Sequence, residues 1–142
     1  MKSKFVSEFI SSFKMNKKFI IVDDDSVNNL ICRKVINLVF PEAEVLAFTN
    51  PEKALLYIKS NYADSFGKKT ILLLDINMPI LSGWDFLKEF EGFDARIKEE
   101  LKIYMLSSST DQLDKDRANE NKNVCGYIEK PLNKDIITKM LL

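Results

Sequence analysis

The sequence predicts an α/β domain: a doubly wound, five-stranded parallel sheet with strand order 2-1-3-4-5. Three observations carry that expectation. Short apolar runs alternate along the chain with longer segments of helical period. Several of the runs are apolar at consecutive positions, as in strands buried on both faces. Cap and turn residues separate the two kinds of segment. Right-handed crossovers then place helices on both faces of the sheet, and the order reverses between the first and third strands, where a ligand site is expected.

Residues 1–17 are expected to be an extension ahead of the domain, either disordered or a short helix. Phe5, Val6, Phe9, Ile10 and Phe13 recur at helical spacing, but Ser3, Ser7, Glu8, Ser11 and Ser12 break any apolar centre. With no small-residue cleavage site, a secretory signal is not expected, and Met15 offers an alternative start. The domain itself is expected over 18–142. Its first strand is 19–22, followed by a helix over 27–39 with Leu30, Ile31, Lys34, Val35 and Leu38 at helical spacing. The second strand is 45–48. Asn50 then reads as a cap and Pro51 as a first-turn proline, opening a helix over 54–59. The third strand is 71–74 and its helix 83–90, with Trp84, Leu87 and Phe90 apolar. A fourth strand, 103–106, precedes a helix starting at Thr110-Asp111, and a fifth, 124–128, precedes a helix that starts at Asn133 and ends the chain. No linker, repeat or low-complexity tract interrupts these five β/α units, and no output domain is expected.

With 142 residues, 46% of them hydrophobic and 30% charged, the chain can bury one full core. Lys+Arg and Asp+Glu each number 21, so no global field draws it to nucleic acid or anionic lipid, and electrostatic function must be local. No run approaches the roughly 18 to 20 apolar residues of a membrane span. The absence of histidine removes Ser-His-Asp and Cys-His catalysis, H-E-x-x-H metalloprotease chemistry and imidazole-bound zinc. Cys32 and Cys125 form no C-x-x-C pair, so neither a disulfide framework nor a thiolate metal site is indicated, which fits a reducing cytoplasm.

Chemistry must therefore run on carboxylate, hydroxyl and lysine, and those types recur just beyond the strands. Asp23, Asp24 and Asp25 follow the first, Asp75 the third, Ser107 the fourth, and Lys130-Pro131 the fifth. Singly, each is an ordinary turn or cap residue. Jointly they converge on one edge of the sheet. Two carboxylates about 4 Å apart repel by about 4 kcal/mol at an effective dielectric near 20, so a cation is required. Oxygen-only ligands suit Mg²⁺, which takes one or two carboxylates together with waters and a phosphate oxygen. Lys130 and Ser107 would add a positive charge and a hydroxyl donor for a phosphoryl group, with a carboxylate as its acceptor.

The residues 20–25 (Ile-Ile-Val-Asp-Asp-Asp), 73–79 (Leu-Leu-Asp-Ile-Asn-Met-Pro) with Gly83, 105–108 (Met-Leu-Ser-Ser) and 126–131 (Gly-Tyr-Ile-Glu-Lys-Pro) together resemble the receiver domain of two-component response regulators, a flavodoxin-like fold. The resemblance runs from about Lys17 to the C-terminus. It implies that Asp75 accepts a phosphoryl group from the phosphohistidine of a histidine kinase or histidine phosphotransfer protein. It assigns Asp23, Asp24 and Asp75, with the backbone carbonyl of Asn77, to Mg²⁺, and Lys130, its bond to Pro131 cis, to the phosphoryl oxygens. Ser107 becomes the switch hydroxyl and Tyr127 the aromatic switch residue. Asn77 and Ser109 fall where phosphate lifetime is tuned, Asp25 is a cap, and Met78, Pro79 and Gly83 shape the loop. A protein target would bind the fourth helix, fifth strand and fifth helix, roughly 111–142.

The resemblance thus implies a cytoplasmic signalling switch with phosphotransfer and autodephosphorylation activity, no direct nucleic-acid binding and no membrane contact. With no effector domain, it would act by docking, by relaying phosphate or by draining a kinase. Two alternatives remain. A Mg²⁺-dependent aspartyl-phosphate phosphohydrolase would normally carry an acid two residues after its nucleophile, where Asn77 stands. A flavin binder would want Gly, Ser and Thr in the first β/α turn, where three aspartates stand.

Overall fold

A computed structural model gives the fold, described here for residues 17–61 and 69–141. The 1–16 extension lies outside the described residues. Five strands, β1 (Lys18–Val22), β2 (Glu44–Phe48), β3 (Thr70–Asp75), β4 (Leu101–Ser107) and β5 (Val124–Glu129), form one sheet in the order β2-β1-β3-β4-β5, every pair parallel. The expected order therefore holds, and the carboxyl ends of all five strands share one edge.

Consecutive apolar residues are explained by two cores. In β1, Phe19 and Ile21 pack on one side of the sheet with Ile71, Leu73, Leu106 and Ile128, while Ile20 and Val22 pack on the other with Leu72, Leu74, Ile103 and Met105. Alternating side chains on a strand point to opposite faces, so a strand covered on both sides is apolar throughout. β1 and β3 are buried at every position. β2 and β5 are sheet edges with most residues only half-buried or exposed, so full burial stops at the central strands.

Among the described residues there are six helices: α1 (Ser26–Val39), α2 (Pro51–Asn61), α3 (Gly83–Glu91), α4 (Ala95–Glu100), α5 (Gln112–Glu120) and α6 (Lys134–Leu141). Asn50 caps α2 by accepting from Glu52 N–H at 2.9 Å, Asp111 caps α5 through Leu113 N–H at 3.0 Å, and Asn133 accepts from Ile136 N–H at 2.9 Å at the start of α6. At α3, Ser82 and Asp85 form a capping box. The helix α4 departs from the expected count of five. It is too short to show a period, but Asp94 accepts from Arg96 N–H at 2.8 Å and Ile97 is buried, so one cap and one anchor fix it before β4.

A second departure concerns α1. Its core face is Asn28, Asn29, Cys32 and Ile36, whereas Leu30, Ile31 and Leu38, the residues whose spacing predicted the helix, are exposed, Leu38 by 72%. The helix carries apolar residues on two sides: Val35 and Val39 pack with Cys32 and Ile36 toward the sheet, while Val27, Leu30, Ile31 and Leu38 face away. No helix among the described residues is long and apolar enough to cross a membrane.

Candidate functional site

The strand ends bring the expected residues together by backbone bonds as well as by sheet order. Asp23 N–H donates to Phe48 O at 3.0 Å, tying the end of β1 to β2, and Lys130 N–H donates to Ser107 O at 2.8 Å, tying the segment after β5 to β4. The Lys130–Pro131 peptide is cis, as expected. Gly83 N–H donates to Ile76 O at 2.8 Å and closes the loop after Asp75. A Cβ at position 83 would fall on the carbonyl oxygen of Asp75, with Ile76 Cα at 3.0 Å and Met105 Cε at 3.1 Å, so only glycine lets the start of α3 press against the end of β3.

Asp23, Asp24 and Asp75 each present a carboxylate oxygen within 4.8 Å of the others. Asp23 and Asp75 are 1% and 5% exposed, whereas Asp24 stands in solvent. At that separation each pair repels by at least about 3 kcal/mol at an effective dielectric near 20. Lys130 offsets part of this: its Nζ lies 2.7 Å from Asp23 Oδ2 and 3.4 Å from Asp75 Oδ1. One ammonium among three carboxylates leaves net negative charge in a partly dry cleft.

Asp23 is the best held of the three. Its Oδ1 accepts from Asp25 N–H at 2.9 Å, its Oδ2 from Asn28 Nδ2 at 2.8 Å, and its carbonyl from Asn29 Nδ2 at 3.0 Å. Asp25 caps α1, accepting from Val27 N–H at 2.9 Å and Asn28 N–H at 3.3 Å. Asn28 and Asn29 escaped the sequence reasoning. Two adjacent amides at the start of the helix, in register with Cys32 and Ile36, were the available signal, since polar groups facing a core need partners there.

Burial, then the charge of Asp23, pushes the Asp75 carboxyl up to about 6, with Lys130 opposing. It is still a carboxylate at neutral pH. Burial would lower the Lys130 ammonium, but its hydrogen bond to Asp23 and the charges of Asp23 and Asp75 outweigh that and hold it above the ordinary lysine range. Beneath the site, burial and Asp23 push the Cys32 thiol up to about 12, leaving it a protonated filler.

Mg²⁺ fits this donor set: three hard oxygen donors, two of them buried, an excess of negative charge, and no nitrogen or sulfur ligand among them.

Ser107 is fully buried at the end of β4, its Oγ accepting from Ser109 N–H at 3.1 Å. Tyr127 is half-buried on β5 and donates its hydroxyl to Ser109 O at 2.7 Å. Ser109 is engaged on every polar atom, since its Oγ donates to Asp114 Oδ2 at 2.9 Å and accepts from Asp111 N–H at 3.1 Å. Asn77, in the loop after Asp75, is exposed.

A doubly wound parallel sheet of order 2-1-3-4-5, with acids and one lysine gathered at its carboxyl edge, is a flavodoxin-like fold. The family model for the response regulator receiver domain matches residues 19–142, and the chain belongs to that family. Receiver domains are the signalling-switch modules of two-component systems and as a class work with histidine kinases and downstream targets. Among solved structures, the chain is similar to a response regulator receiver protein from Dyadobacter fermentans at 25% identity and TM-score 0.80, covering 88% of this chain and 94% of that one. It is likewise similar to a two-component response regulator from Cytophaga hutchinsonii at 26% identity and TM-score 0.79, covering 87% and 92%. A chemotaxis protein of Vibrio cholerae, 22% identical over 88% of this chain and 95% of that one, shares the fold with TM-score 0.68. No curated protein sequence matches.

Proposed function

We propose that the chain accepts a phosphoryl group on Asp75 from a phosphohistidine donor, in a Mg²⁺-dependent reaction, and so switches a protein-binding face or relays the phosphate. The observation that carries this is the convergence of the Asp75 carboxylate with Asp23, Asp24 and the Lys130 ammonium at one strand edge. An Asp75 oxygen forms a bond to phosphorus while the phosphorus–nitrogen bond breaks, its electron pair staying on the donor imidazole. Asp23, Asp24, Asp75 and the Asn77 carbonyl would hold the ion, which when bound supplies positive charge beside the phosphoryl oxygens.

The protein's own groups do the rest. Lys130 exchanges its bond to Asp75 for a phosphoryl oxygen, and the Ser107 hydroxyl donates to another. Both gain interactions that exist only in the modified state, and such gains are what bias a two-state element. Tyr127, bonded to the loop after Ser107, would report that change on the face made by α5, β5 and α6, where a downstream protein would bind. Asn77 and Ser109 would set the phosphate lifetime. Exposed Val27, just after the acids, and Ile80, just after the acceptor loop, give a donor protein an apolar seat beside the pocket. The cytoplasm, where histidine kinases draw on ATP, is the compartment that suits this role.

Incubation with acetyl phosphate and Mg²⁺ should add one phosphoryl group, read by intact-mass spectrometry. Asp75→Asn should abolish the addition, and labelling that survives this substitution refutes the assignment.

A further inference from the structure

The helix α5 is held toward the pocket from two sides through Asp114 and Arg117, neither of which has a role in the reaction above. From the β4 side, the Ser109 hydroxyl donates to Asp114 Oδ2 at 2.9 Å. From the β3 side, the Arg117 guanidinium lies over the Trp84 ring, 4.5 Å from its centroid. Asp114 and Arg117 are three residues apart, hence neighbours on one side of α5. Each contact leads back to the acceptor. Ser109 is bonded through its N–H to Ser107 Oγ, and Trp84 follows Gly83, whose backbone is pressed against the Asp75 carbonyl. A closed path thus runs from Asp75 through Gly83, Trp84, Arg117, Asp114, Ser109 and Ser107 back to the pocket.

Hydrophobic burial does little to fix this helix. Of the nine residues of α5 only Ala118 is buried, and Leu113 is 75% exposed. Helices with few buried apolar contacts occupy the low-stability end of a fold, where modest polar contacts decide position. We propose that Asp114 and Arg117 are positioning residues that clamp α5 to the two rims of the pocket, so that drawing the Ser107 hydroxyl onto a phosphoryl group at Asp75 moves α5 relative to Trp84. The inference rests on the acceptor reading above. When Ser107 moves to meet the phosphoryl oxygen, Ser109 either follows it or loses its N–H bond, and its hydroxyl passes that displacement to Asp114.

Trp84 is the single tryptophan of the chain, so its emission reports the surroundings of the ring that Arg117 covers. The full chain would be treated with acetyl phosphate and Mg²⁺, following Trp84 emission while mass spectrometry counts phosphoryl groups. In the unaltered protein the emission should change in step with modification. Asp114→Ala should be modified to the same extent yet lose more than half of that change, and Asp114→Asn, which keeps an acceptor oxygen, should restore it. Arg117→Met should abolish the response and leave modification intact. If Asp114→Ala keeps the whole response, or the unaltered protein is modified with constant emission, the clamp is wrong and the acceptor reading stands. If the unaltered protein takes no phosphoryl group at all, both fall.

Discussion

Asp75 is costly to keep ionised before any cation other than Lys130 arrives, and the cost has a sign that can be checked. Its carboxyl is pushed up to about 6 in the folded protein from an ordinary 3.8. A folded state that binds a proton more tightly than the unfolded chain is favoured at low pH, and this contribution is lost as pH rises from about 4 to about 6. A shift of about two pH units corresponds to about 3 kcal/mol. In EDTA, the melting temperature should therefore fall across that window. The fall should vanish in Asp75→Asn, which should be the more stable protein at pH 7.5. Mg²⁺ should raise the melting temperature of the unaltered protein above pH 6, where its carboxylates are free to bind. A flat profile in EDTA, measured by thermal denaturation, would show that burial and the neighbouring charge of Asp23 do not hold the Asp75 carboxyl up.

Helices and strands differ in how much of them was legible. The five strands and their order followed from runs such as 71–74, because a strand covered on both faces has no choice but to be apolar at every position. The caps at Asn50, Asp111 and Asn133 followed from side chains whose oxygens suit unpaired amides. The position of α4 did not, since six residues carry less than two turns of period. The facing of α1 was also hidden. Periodicity finds apolar stripes but not their facing, and here Leu30, Ile31 and Leu38 of the predicted stripe turn outward, while the inward face begins with two asparagines. The two faces make opposite predictions. Ile36→Ala should cost about 2–5 kcal/mol by opening a cavity, and Leu38→Ala should stay within about 0.5 kcal/mol, both read by urea denaturation. A larger loss for Leu38→Ala than for Ile36→Ala would mean the helix sits the other way round. Of the site, Asp23, Asp24, Asp75, Ser107 and Lys130 were legible from their places after strands, whereas the Asn28–Asp23 bond was not, because it depends on which face α1 turns inward.

Across the described residues, one edge of the sheet gathers the acids and Lys130, and the buried central strands hold them. β1 and β3, buried at every position, supply Asp23 and Asp75 from the most protected part of the fold, while α5 and β5 lie at its loosest margin. Hydrogen exchange should follow that gradient, slowest in β1 and β3. After treatment with acetyl phosphate and Mg²⁺, changes in exchange should concentrate in the loop 107–111, α5 and β5 and leave α2 as it was. A response spread evenly over the chain, seen by peptide-resolved mass spectrometry, would contradict a local switch.

The two asparagines of α1 have a further consequence. A rod that is greasy on opposite sides could lie against the sheet either way up, and water repulsion alone gives little reason to prefer one. The pegs that key it are Asn28 and Asn29, and the slot they enter is Asp23. The acid that would grip the metal therefore also decides which way a neighbouring rod is rolled, so that a lineage abandoning signalling could not shed Asp23 without first finding a new way to seat that rod.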